Sequence, residues 1–174
     1  YSIKGNETSF ILPKPMYKSK NPNFSFSGLK TAFSRTISSI KNIDKEKFNL
    51  AASLQFTISA CILDRTKLAL KIFKSMTLRN EEIKLVVAGG VASNIKIRES
   101  LEKFSKNNNL IFYAPPLNLC TDNGAMIAWA GYEKFLNDGS SELDFKPRPR
   151  WPLDPKAYLI NPTMKKVGKK GVKA

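Results

Sequence analysis

The sequence contains no histidine. Imidazole is therefore excluded as general base, proton shuttle or metal ligand within these 174 residues. Cysteine is scarce too. Cys61 and Cys120 stand far apart and match no metal or redox spacing, which predicts two reduced, buried thiols. No run of about 18 apolar residues occurs, so no transmembrane helix is expected. No signal-peptide pattern opens the chain, and the expected location is cytoplasmic, with no membrane contact. The sequence starts Tyr1-Ser2-Ile3 without Met, as a fragment, a processed product or a trimmed chain would.

What is abundant is positive charge. Lys and Arg number 29 against 14 Asp and Glu, a net charge of +15. Such a surplus fits an anionic partner, RNA or a phosphate-rich ligand. Only six of those cations are Arg, however, and an AT-rich coding sequence would equally fill a surface with Lys, Asn and Ile. A hydrophobic content of 42% is enough for one domain with a core.

Along the chain, Ser9 to Leu12 reads as a short strand before Pro13, Pro15 and Pro22 interrupt regular structure. A helix is expected over 28–41, with Ser25 or Ser27 as its N-cap. From Lys45 to Met76 apolar residues recur at three- and four-residue steps: Phe48, Ala52, Ile58, Ile62, Ala69 and Ile72, with Gln55 and Arg65 in the same series. Leu54, Phe56, Cys61 and Leu63 fill other faces, so the segment reads as a buried helix, long enough to be bent or split in two. Lys84 to Ala88 reads as a buried parallel strand ending in Gly89-Gly90. A helix from Ser93 to Phe104, a strand from Leu110 to Tyr113 and a helix from Asp122 to Leu136 follow. This alternation predicts an α/β layered domain over 1–154. Residues 155–174 carry six lysines and no acids, and read as a basic, flexible tail.

Four segments can carry chemistry. In Val87-Ala88-Gly89-Gly90-Val91-Ala92-Ser93-Asn94 a strand ends in two glycines and a helix begins. Glycines let a ligand lie against the backbone, and a helix N-terminus offers free N–H groups to an anion. Asn94 has a donor and an acceptor for a ribose or base, or is simply the helix cap. In Cys120-Thr121-Asp122-Asn123-Gly124-Ala125, Thr121 or Asp122 caps the next helix, and an ionised carboxylate there is a candidate metal ligand. Phe24-Ser25-Phe26-Ser27-Gly28-Leu29-Lys30-Thr31 lacks the glycines of a P-loop and reads as a capped helix with two buried aromatics. Arg148-Pro149-Arg150-Trp151-Pro152-Leu153 fits either RNA contact by charge and stacking or packing of a closing loop.

Taken together, in this order and spacing, these segments resemble the C-terminal half of the TsaD family, the tRNA threonylcarbamoyladenosine synthases once described as O-sialoglycoprotein endopeptidases. The resemblance covers residues 8 to 154. It implies the C-terminal portion of an actin-like ATPase fold, shared with sugar kinases and chaperone ATPases. It implies transfer of threonylcarbamoyl from threonylcarbamoyl-AMP to the exocyclic amine of the adenosine following the anticodon, in tRNAs reading A-starting codons. Partners implied are TsaB- and TsaE-like proteins. By the same resemblance Asn94 contacts the adenylate, Gly89 and Gly90 form the turn beside it, and Asp122 binds an active-site metal, iron or zinc. The family's other metal ligands are two histidines of a His-x-x-x-His motif in its N-terminal half, and these have no counterpart here. The expectation is that this chain alone binds metal poorly, has no catalytic residue of its own, and works only with the missing N-terminal half. The alternative is a non-enzymatic remnant or interaction module of the same fold. A peptidase is excluded on the residues, since no nucleophile–base pair and no His-Glu-x-x-His occurs.

Overall fold

The structure, a computed structural model, describes residues 1–76 and 82–144. The expected tail at 155–174 and the Arg148–Leu153 segment lie outside these residues. Two compact units divide the chain, the first spanning Tyr1–Asn123 and the second beginning at Gly124.

The first unit is built around helices α1 (Ser27–Ser39) and α2 (Ile43–Met76) and a β-α-β unit of β1 (Lys84–Val86), α3 (Ile95–Asn107) and β2 (Ile111–Tyr113). The two strands pair in parallel, Leu85 opposite Phe112. This is the α/β pattern expected from the alternating elements. The strands are shorter than predicted, and β1 is not buried: Leu85 is half-buried while Val86 is 67% exposed. The reason is pairing. The described residues give β1 one neighbour, β2, and a strand is covered on both faces only inside a wider, layered sheet.

Helix α2 is a single continuous 34-residue helix, not split in two. It contains no Gly or Pro to break the ladder. Thr57 and Thr66 turn their hydroxyls back to the carbonyls of Ser53 and Ile62, so they stay inside the helix at little cost. Its burial is confined to the middle, where Leu50, Ala52, Ser53, Thr57 and Cys61 are covered; Phe73 near its end is half exposed. Helix α3 covers the sheet with Ile97, Leu101 and Phe104, all buried, each contributing about 1.5–3 kcal/mol.

Ser9 to Leu12 is irregular, not a strand. The Phe10 N–H donates to Ser53 Oγ (3.1 Å) and Leu12 is buried, so this segment lies along α2 rather than in a sheet. Neither Ser25 nor Ser27 caps α1. The residue before the helix is Phe26, and the two serine hydroxyls are 3.3 Å from each other.

In the second unit α4 (Gly124–Asp138) carries Trp129 and Tyr132 one turn apart, ring centroids 5.9 Å, and a Lys134–Asp138 ion pair. Gly139, at φ +76°, closes it with an N–H bond to the Phe135 carbonyl. Helix α4 starts at Gly124, two residues after Asp122.

Candidate functional site

The site grows from the turn between β1 and α3. Gly89 adopts φ +82° and ψ 178°, a conformation open to glycine alone. A one-turn 3-10 segment, Gly90–Ser93, follows, closed by Ala92 N–H to the Gly89 carbonyl (2.9 Å) and Ser93 Oγ to the Gly90 carbonyl (2.6 Å). Both glycines are exposed, with open space where a Cβ would stand. A ligand can therefore meet their backbone directly.

Asn94 then caps α3. Its Oδ1 accepts the Ile97 N–H at 3.2 Å and also the Gln55 side-chain N–H at 2.9 Å. The cap reading is thus correct. Both bonds fall on the oxygen and neither uses the Nδ2 donor. Asn94 and Gln55 sit in the wall of an open groove of about 750 Å³. One side of that groove is α2, one is the start of α3, and the third is the N-terminal segment. The third wall is hooked to α2: Asn6 N–H donates to Asn49 Oδ1 (2.9 Å), and Ser53 Oγ bonds the Asn6 carbonyl. Gly5 makes this approach possible, since a Cβ there would stand 1.9 Å from the Phe48 carbonyl oxygen. Lys96 and Glu7 form an ion pair across the rim at 3.6 Å.

Of the expected site residues the groove wall contains Asn94 alone; Gly89, Gly90 and Asp122 are exposed and are not part of it. The Asp122 segment is nonetheless tied to the Gly-Gly turn by Arg98. The Arg98 guanidinium donates to the Ala92 carbonyl (3.0 Å), the Pro115 carbonyl (2.8 Å) and Cys120 Sγ (3.1 Å). One planar cation thereby fixes the turn that precedes α3 against the loop that ends in Asp122. Among the described residues no three His, Cys, Asp or Glu side chains stand together as a metal site. One carboxylate does not satisfy a transition metal, so the described residues do not by themselves form the expected iron or zinc centre.

Cys61 and Cys120 are both free and buried, as expected. Burial pushes the Cys61 thiol up, against the pull of Lys14 and with the help of Asp64, so it stays protonated at neutral pH.

Residues 2–129 match the model of the family described as TsaD, tRNA N6-adenosine threonylcarbamoyltransferase. The chain belongs to the TsaD family. A tRNA N6-adenosine threonylcarbamoyltransferase of Pelagibacter ubique is 46% identical over 160 residues, 92% of this chain and 44% of that protein. The protein of the same name from Brucella suis is 41% identical over 174 residues, 99% of this chain and 47% of that protein. The chain thus spans about half the length of the curated relatives it matches.

Gln55, Arg98 and the N-terminal wall were not singled out by sequence as site residues. Gln55 had a signal, a polar residue inside an apolar helical series. Arg98 had one too, a cation one turn after Asn94 on a helix whose next face is buried. Gly5 had none, because its meaning depends on a backbone 43 residues away.

Proposed function

We propose that this chain is the adenylate-binding wall of a tRNA threonylcarbamoyltransferase and forms the C-terminal portion of an actin-like ATPase fold. The whole enzyme transfers threonylcarbamoyl from threonylcarbamoyl-AMP to the exocyclic amine of the adenosine after the anticodon, in tRNAs reading A-starting codons. The amine attacks the carbamoyl carbon and AMP departs. The match over residues 2–129, with 46% identity to one relative, carries this reading.

Asn94 holds the adenylate through Nδ2, and the Gly89-Gly90 backbone lies against it. Asp122 supplies one carboxylate to a metal centre whose remaining ligands come from outside this chain; a bound iron or zinc ion would polarise the acyl group. TsaB- and TsaE-like proteins are the expected partners. The part of the relatives that this chain does not span would complete the site. Two observations support that dependence: the relatives are about twice as long, and Phe24, Val86 and Val91 are apolar and each more than half exposed. Apolar surface of this kind marks an interaction face.

The test is turnover. Threonylcarbamoyl-AMP and tRNA are incubated with the chain alone, and with the chain plus a polypeptide covering the other half of the Pelagibacter ubique relative. The expected result is modified tRNA only in the second mixture. Turnover by the chain alone would overturn the split-site reading. Tight association of the two polypeptides without turnover would favour a non-enzymatic interaction module.

A further inference from the structure

The groove contains more recognition chemistry than Asn94. We infer that Gln55 is a specificity-determining residue which, with Asn94, reads the Watson–Crick edge of adenine. The inference rests on the reading of this groove as the adenylate wall.

Asn94 Oδ1 is occupied twice, by the Ile97 N–H (3.2 Å) and by Gln55 Nε2 (2.9 Å). The first bond fixes the flip of the Asn94 amide, because a backbone N–H requires an acceptor there. The second then fixes the flip of Gln55, because that oxygen requires a donor. Two groups remain for a ligand, Asn94 Nδ2, a donor only, and Gln55 Oε1, an acceptor only. Both residues are half-buried and line the groove. Phe56, 39% exposed on the neighbouring position of α2, lines it too and offers an aromatic face for a base.

A donor and an acceptor carried by two side chains joined at 2.9 Å are complementary to adenine, whose N1 accepts and whose 6-amino group donates. Hypoxanthine and guanine present the reverse pair, an N1–H and a 6-oxo group. They would set oxygen against Gln55 Oε1 and N–H against Asn94 Nδ2. Paired side-chain contacts to a base edge discriminate by about tenfold or more. Without Gln55, the Asn94 amide keeps its cap bond but loses the neighbouring acceptor, so the preference collapses.

The experiment uses the full chain and two probes, AMP and IMP, followed through the side-chain amide resonances of Gln55 and Asn94 and the backbone resonances of Gly89 and Gly90. AMP is expected to shift all four residues and to bind at least about tenfold more tightly than IMP. Gln55→Met should bring the two ligands to equal affinity. Gln55→Ala, which removes the acceptor and adds no bulk, should do the same and covers the case in which Gln55→Met does not fold. Equal affinities in the unaltered chain would overturn the inference, as would a preference that survives Gln55→Met. Shifts at Gly89 and Gly90 without shifts at Gln55 and Asn94 would overturn it while leaving the adenylate-wall reading intact. No shift anywhere with AMP at about 10 mM would overturn both.

Discussion

Gly89 and Gly90 look interchangeable in the sequence, and the structure separates them. Gly89 sits at φ +82°, ψ 178°, while Gly90 begins a 3-10 turn with no positive φ. Neither has an atom within 4 Å of where a Cβ would stand. Any cost of alanine at Gly89 is therefore conformational rather than steric. Gly89→Ala should destabilise the chain by about 1–3 kcal/mol, and Gly90→Ala by no more than about 0.5 kcal/mol. Thermal unfolding of the two variants checks this, and equal losses would mean the turn has a different backbone. The same reasoning shows what could be read early at Asn94. Its place before a helix announced a cap. Only the structure shows that one oxygen takes the cap bond and the Gln55 bond together, leaving the nitrogen over.

Among the elements, α2 organises the first unit. The N-terminal segment is tied to it by Asn49 and Ser53, and the residues before α1 by Arg65. Arg65 is buried, paired with Asp64, and donates to the carbonyls of Ser19 (3.0 Å) and Asn21 (2.7 Å). Arg65→Met removes these bonds, and because the Asp64 side chain is 37% exposed and can turn to water the loss is about 1–2 kcal/mol. That corresponds to a drop of about 2–8 °C in Tm for a chain of this size. A drop below about 2 °C would show that water replaces the guanidinium freely. The helices were legible because their signal is local: apolar spacing gave α2 to α4 and the serine-rich start after the prolines gave α1, within a few residues. The strands and the segment at Ser9–Leu12 were less so. A strand's burial depends on what lies beside it, and Val86 has a partner on one edge only among the described residues. Ser9 to Leu12 has strand composition but finds its bonds on α2, 43 residues away, where Ser53 receives the Phe10 N–H. For the same reason the site was half legible. The Gly-Gly turn, Asn94 and Asp122 are local motifs, whereas Gln55 and Arg98 act on residues 39 and 22 positions distant.

At the scale of the whole molecule the dominant quantity is the charge of +15. A charge that large attracts a polyanion whatever the shape of the groove, and the two contributions separate by salt. Contacts to phosphate release counterions, so affinity falls steeply with ionic strength, with a slope of about −0.7 to −0.9 per contact. Base reading by Gln55 and Asn94 involves no net charge and should be nearly salt-independent. The prediction follows for tRNA binding. Residues 155–174 hold six of the lysines and no acid. A chain ending at Asp154 should bind tRNA more weakly, and the slope of log K against log salt should flatten by several units if those lysines meet phosphate. Fluorescence anisotropy with labelled tRNA from about 50 to 200 mM salt measures both quantities. An unchanged slope would place the phosphate contacts elsewhere and leave the lysine-rich end as a solubilising surface. The affinity of AMP for the groove should be the same in both chains, which distinguishes loss of an RNA contact from loss of the fold.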